Sequence, residues 1–181
     1  MIALGCVTGR FQPAHIQHVN LFEIALAECR HVIVAVTNPD TGARHEEAAS
    51  PHRHTAAANP FTYFERVRLL QAAVREAGYA ERMTFVPFDL TRRDFWPQYV
   101  PLHARHFVRT FTAWEREKVS RLQRAGYDVR VVEGEPSSRI SAGGIRASIS
   151  AGNVDWHSLV PAATQPLIDE FLAHVPMARR S

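Results

Sequence analysis

Short β-branched runs alternate along the chain with longer segments whose apolar residues recur at helical spacing, the pattern of parallel strands joined by crossover helices. Residues 2–7, 31–37, 83–88, 106–112 and 129–133 read as strands. Between the first two, residues 16–30 set Val19, Phe22, Ile24, Leu26 and Ala27 against Glu23 and Glu28, an amphipathic helix. A second helix is predicted from Thr62, where Thr62 and Glu65 form a capping box, to about Ala77, with Gly78 ending it. A third covers 114–125 before Gly126, and a fourth covers 161–174 with proline in its first turn. The expected fold is α/β: a Rossmann-like, five-stranded parallel sheet flanked by helices in a single domain over 1–181, closed by a C-terminal helix. Residues 38–60 show no period and are predicted to form a mobile flap beside the site.

The first seven residues are apolar but run straight into Thr8-Gly9-Arg10, which predicts a strand rather than a signal peptide. No stretch approaches the ~18–20 apolar residues of a membrane span. The two cysteines, Cys6 and Cys29, have neither the number nor the spacing of a disulfide framework, so a reducing, cytoplasmic setting is expected. The net charge is +3, and twenty arginines stand against one lysine, Lys118. These arginines are scattered, without an aromatic-interleaved stripe, so a site for small phosphates explains the surplus better than nucleic acid. No nucleic-acid or membrane partner is expected, and assembly into a homo-oligomer is compatible with the sequence.

In an open parallel sheet ligands gather at the carboxyl ends of the strands. The turn after the first strand runs Thr8-Gly9-Arg10-Phe11-Gln12-Pro13-Ala14-His15-Ile16-Gln17-His18. It lacks the glycine pattern of a dinucleotide fold and the lysine of a P-loop. It offers instead a glycine that permits close backbone approach, an arginine, and two histidines on one face of a helix start. Those imidazoles, the free N–H groups and the positive helix end can all serve one anion. A helix cap plus a surface residue is the plainer account of the pair, and a two-histidine zinc site with a third ligand from the flap is another. Near the far end of the sheet, Arg139-Ile140-Ser141-Ala142-Gly143-Gly144-Ile145-Arg146 makes Ser141 the cap of a short helix with Arg146 on its inner side. A simple helix start is the alternative there.

Together these strings resemble the HxGH nucleotidylyltransferases, above all the short archaeal-type nicotinamide mononucleotide (NMN) adenylyltransferases and the related cytidylyltransferases of phosphonate biosynthesis. The NMN adenylyltransferases carry GRFQPFHxGH, NPFTxxER and ISxTxIR. This chain has GRFQPAHIQH over 9–18, NPFTYFER over 59–66 and ISAGGIR over 140–146, then WHSLVP over 156–161 ahead of the last helix. The resemblance spans nearly all of the chain outside 38–58. It implies attack by an acceptor oxygen on the α-phosphorus of a nucleoside triphosphate, release of pyrophosphate, and Mg²⁺ held by phosphates and water, with no protein metal ligand. It further implies that His18 meets the α-phosphate, His15 the bridging and β oxygens, Arg10 and Arg146 the β and γ phosphates, and Ser141 the leaving pyrophosphate. Thr8, Gly9, Phe11, Gln12 and Ile145 complete the nucleotide site in this reading. Asn38, Arg53, His54, Trp96, Trp114 and Lys118 fall to the acceptor, with Lys118 also among the catalytic groups.

Three departures bear on substrate. Gln17 replaces the glycine of HxGH and must point away or contact the ribose. Gly143 replaces a threonine, for which Ser138 or Ser141 could compensate. The fourth strand leads into TFTAWEREK over 110–118, where the NMN enzymes have Ser-Gly-Asn-Pro. Among so many arginines, Lys118 reads as a compact ammonium where a guanidinium cannot fit, or as chance retention on a wet helix face. Three functions follow. A CTP-dependent cytidylyltransferase acting on a small phosphonate in natural-product biosynthesis is favoured by the altered turn and by Arg44, His45, His52, Arg53 and His54 in the flap. An NMN adenylyltransferase making NAD from ATP is favoured by Trp96, which matches a nicotinamide-stacking tryptophan or else packs under the sheet. A nucleotide-binding regulator is disfavoured, because a pure binder does not need transition-state donors.

Overall fold

The computed structural model describes residues 1–45 and 54–174. Five parallel strands, β1 (Ile2–Gly9), β2 (Cys29–Thr37), β3 (Met83–Phe88), β4 (Arg105–Thr110) and β5 (Val129–Glu133), lie in the order β3-β2-β1-β4-β5. The chain winds outward from β1 through β2 and β3, then crosses to β4 and β5 on the other side. That reversal opens a crevice between the carboxyl ends of β1 and β4, where a ligand can enter.

β1 and β2 are central and covered on both faces, so their sequences are near-continuous apolar runs. Alternation still sorts their side chains. Val7, Val32, Val34 and Val36 pack beneath α1 (Ile16–Glu28) and α2 (Tyr63–Glu76), against Phe22, Leu26, Leu70 and Val74. Cys6, Ile33 and Ala35 face the opposite side, with α3 (Trp96–Tyr99) and α4 (Ala113–Arg124) supplying Trp96, Val119 and Leu122. A third cluster joins Phe61 and Leu69 to α5 (Ala142–Ser150) and α6 (Gln165–Ala173) through Ile145, Trp156, Ile168 and Phe171.

The observed elements follow the predicted ones, with informative shifts at the edges. β1 continues two residues past the expected end, to Gly9, and β2 begins at Cys29, which also caps α1. β4 stops at Thr110 because Thr112 is taken as the N-cap of α4, where its N–H donates to Glu115 (2.8 Å). The capping box of α2 forms as predicted: the Glu65 N–H donates to Thr62 Oγ1 (3.2 Å) and the Thr62 N–H to Glu65 (2.7 Å). The C-terminal pattern divides into a single turn at Ala162–Thr164 and α6, whose first-turn proline is Pro166 rather than Pro161. α3, four residues long, has no counterpart in the sequence reading. Of the proposed flap, residues 46–53 lie outside the described residues; the remainder includes a single turn at Thr41–Ala43. No helix among the described residues is long and apolar enough to cross a membrane.

Candidate active site

The turn after β1 is folded onto itself before it meets any ligand. Phe11 adopts a left-handed backbone (φ 54°), which lays its buried ring over Gly9. A Cβ on Gly9 would stand 2.7 Å from that ring, so the glycine is required by Phe11 as much as by any ligand. Gln12 is equally committed: its amide donates to the Phe61 carbonyl (2.9 Å) and accepts from the Phe61 N–H (3.0 Å). The GRFQP and NPFT strings are thus hydrogen-bonded to each other.

Behind them lies Arg66, fully buried on α2. Its guanidinium donates to the carbonyls of Arg10 (2.9 Å), Thr37 (2.7 Å), Asn38 (2.8 Å) and Thr62 (3.3 Å). These carbonyls belong to the carboxyl ends of β1 and β2 and to the start of α2. Asn38 itself is held in a left-handed conformation (φ 50°). Burial, with Arg44 nearby, pushes the Arg66 pKa down to about 10.

His15 is the N-cap of α1 and His18 lies one turn in. Their rings stack, with centroids 3.7 Å apart. The His15 N–H donates to His18 Nδ1 (3.2 Å), which leaves the proton of a neutral His18 on Nε2. His15 Nδ1 is buried and has no hydrogen-bond partner among the described residues. The plain reading of the pair as a cap is therefore half right: His18 caps through one nitrogen and keeps the other.

Both rings line a cavity of about 220 Å³ at the β1–β4 crevice. Among the described residues, Arg10, Arg109, Lys118 and Arg139 bring four cationic side chains to its walls, and Glu115 brings the one carboxylate. With the amino end of α1 in the floor, this is a site for a densely charged anion. Lys118 is buried; its Nζ donates to the Thr8 carbonyl (3.1 Å) and lies 5.7 Å from the Trp114 ring centroid. Thr8 lines the cavity beside it. Burial pushes the Glu115 carboxyl up, but the Thr112 hydrogen bond and Arg139, which donates to it at 3.0 Å, outweigh that and hold it below its usual range. Ser141 caps α5 by accepting from the Gly144 N–H (3.0 Å), so its own hydroxyl hydrogen faces no competing use there. The Ser138 hydroxyl donates to the Glu135 carbonyl (3.0 Å), which leaves Ser141 as the better substitute for the missing threonine.

Several expected contacts fall elsewhere. Ile145 is wholly buried in the third core cluster and its N–H closes a helical bond to Ser141, so it packs α5 rather than lining the cavity. Trp96 is also core: it packs on Phe88, and its Nε1 donates to the Asp89 carbonyl (2.7 Å), which corrects its assignment to the acceptor. Arg146 donates to the Gln12 carbonyl (2.6 Å) and is absent from the cavity lining. Arg10 lines the cavity and donates to the Ala58 carbonyl (3.3 Å). Asn38 and Trp114 meet at a small adjoining recess with Thr37, His45 and Thr91. The buried Nδ1 of His54 has no hydrogen-bond partner among the described residues, whereas Arg53 and His52 lie outside them. Arg109, Arg139 and Glu115 were not singled out from the sequence; an arginine in the apolar run of β4 was the available signal for the first.

Burial sets the protonation state of the site. Desolvation first, then Arg109 and Arg139, pushes His15 down to about 3. Burial, His15, Lys118 and Arg109 hold His18 well below its usual range, and burial with Lys118 takes His106 on β4 down to about 3. The unfolded chain accepts these protons near pH 6.5 while the folded one refuses them. Stability is therefore full above pH 6.5 and lost as pH falls toward 3, at up to about 1.4 kcal/mol per pH unit per histidine. Urea midpoints should fall between pH 7 and pH 4.5, with a shallower slope in His106→Asn. An identical slope in that variant would contradict the assignment.

Comparison with known proteins agrees with this geometry. A family model described as Cytidylyltransferase-like matches residues 6–148. Phosphonoformate cytidylyltransferase of Streptomyces viridochromogenes is 34% identical over 92% of this chain and 90% of its own. Nicotinamide-nucleotide adenylyltransferase of Pyrococcus abyssi is 32% identical over 92% of this chain and 82% of its own. A bifunctional NMN adenylyltransferase/ADP ribose pyrophosphatase of Francisella tularensis, solved with AMP and a Mn ion, shares the fold with a TM-score of 0.70 at 16% identity. That likeness covers 97% of this chain and 51% of the other, about half its length. A cationic crevice at the switch point of a five-stranded parallel sheet, with paired histidines opening α1, thus comes with a family match across most of its residues: the chain belongs to the cytidylyltransferase-like family.

Proposed function

We propose that this protein transfers the cytidylyl group of CTP to a small phosphonate, with phosphonoformate as the acceptor to test first. The observation that carries the reading is the bond from the His15 N–H to His18 Nδ1, which leaves Nε2–H as a donor in a cavity with four cationic side chains. The acceptor's phosphonate oxygen attacks the α-phosphorus as the bond to the bridging oxygen breaks, and pyrophosphate leaves. The acceptor is already anionic, so no base is needed; the protein holds the reactants in line and neutralises spreading charge. His18 donates to an α-phosphate oxygen, and His15 to the bridging and β oxygens. Arg10 and Arg139 meet the β and γ phosphates, Arg146 supports the turn beneath them, and Ser141 donates to the leaving group. Lys118 and Trp114 form the wall toward the acceptor.

Among the described residues no group of three His, Cys, Asp or Glu could cage a metal ion, and Glu115 is engaged by Arg139 and Thr112. A divalent ion such as Mg²⁺ would be held by the phosphates and water, and would lower the charge of the triphosphate.

The reading with NMN and ATP drew on Trp96, whose indole is enclosed in the core and unavailable for stacking. The test is a panel of CTP, UTP, ATP and GTP, each with Mg²⁺ and either phosphonoformate or NMN, followed by pyrophosphate release. Turnover is expected with CTP and phosphonoformate. Turnover confined to ATP and NMN would overturn the substrate assignment, and none with any pair would favour a regulator.

A further inference from the structure

Gln17 occupies the second residue of α1, where the NMN adenylyltransferases that the chain resembles have glycine. Its side chain is half-buried and held at both ends of its amide. The amide donates to the Ser138 carbonyl (2.7 Å) and accepts from the Ile140 N–H (3.0 Å). Its own carbonyl accepts from Arg109 (3.0 Å), whose other nitrogen reaches Asn20 (2.7 Å). A primary amide has one donor end and one acceptor end facing the same way, so it can bridge a carbonyl and an N–H two residues apart. Glycine could make neither bond.

This bridge stands between two spaces. On one side is the 220 Å³ cavity with His15, His18 and Lys118. On the other is a more open groove of about 420 Å³, lined by Asn20, Glu133, Gly134, Glu135 and Ser138. Gln17, Arg109 and Phe111 border both. Phe111 is fixed there: Arg139 lies over its ring at 5.4 Å, and a Cβ on Gly134 would collide with it. On the nucleotide-binding reading above, a triphosphate seated on His15 and His18 has this border as the place for its base.

We propose that Gln17 determines nucleobase choice by tying residues 138–140 down over the base position, so that a single-ring base is accepted against Phe111 and a purine is not. The inference rests on the nucleotide-binding reading above and concerns a positioning residue, not a group that takes part in the chemistry. Carbonyls and amides held at fixed distance discriminate by size, and a pocket of set width separates ligands by about tenfold to a hundredfold.

The test is calorimetric binding of CTP and ATP, each with Mg²⁺, to the wild-type protein, Gln17→Gly and Gln17→Ala. Alanine removes both bonds while favouring the helix. The wild type is expected to bind CTP more tightly, and both variants to lower the CTP-to-ATP affinity ratio by about tenfold or more, with tighter ATP binding in absolute terms. A ratio unchanged while both affinities fall together would mean that the bridge is only structural and would overturn the proposal; so would a wild-type preference for ATP. Because binding needs no acceptor, a shifted ratio without turnover of CTP and phosphonoformate would leave Gln17's role standing and remove the proposed reaction.

Discussion

His18→Ala is expected to lower the turnover number by about two to three orders of magnitude, the usual cost of removing one preorganised donor from developing charge. The Michaelis constant for the triphosphate should change far less, because Arg10, Arg139 and Lys118 still attract it. The substitution also deletes the acceptor for the His15 N–H, a capping loss worth about 0.5–2 kcal/mol. His18→Asn separates the two effects. Its carboxamide oxygen can take the place of Nδ1 while nothing takes the place of Nε2. Stability near that of the wild type with turnover still lost would assign the rate effect to Nε2. Turnover restored by asparagine would mean that His18 serves only as a cap.

The largest effect on stability is expected at Arg66. Removing a buried guanidinium recovers its desolvation cost, yet its partners are main-chain carbonyls that no substitution can delete. An orphaned, buried carbonyl costs about 1–3 kcal/mol, and the buried Thr37 carbonyl with the part-buried carbonyls of Arg10 and Asn38 outweighs the recovered term. Arg66→Met, which keeps much of the volume, should lower the unfolding free energy by about 3–5 kcal/mol in urea titrations. A loss below about 1 kcal/mol would show that water or backbone movement satisfies those carbonyls. The same residue ties Arg10, Thr37 and Asn38 together, so a folded variant should also bind triphosphate less tightly.

What could be read in the sequence was local. The β1 turn, the capping box at Thr62 and the Ser141 cap each depend on residues within a few positions of one another, and all three formed. Strands β3 and β5 were bounded correctly because apolar runs end there at turn residues. α3 escaped because four residues carry no period. The misplacements have one cause: a motif names residues but not the direction in which they face. Ile145 and Trp96 belong to the expected strings and turn into the core, and Gln12 spends its amide on Phe61. Arg66 closes the NPFTYFER motif and Arg139 opens the 139–146 string, but with Arg109 they carry no sequence sign of what they hold. Their roles arise only when partners 24 to 92 residues away are brought to them by the sheet. Lys118 was legible by rarity alone, and its burial beside Thr8 gives that rarity a physical basis.

The central claim, cytidylyl transfer to a phosphonate, is tested most directly by following phosphorus itself. In a mixture of the protein, Mg²⁺, CTP and phosphonoformate, ³¹P NMR should show the α-phosphorus of CTP and the phosphonate phosphorus coupling to each other across a new anhydride oxygen, with one pyrophosphate formed per product. Orthophosphate or free CMP in place of that coupled pair, or reaction only when ATP and NMN are supplied, would contradict the account.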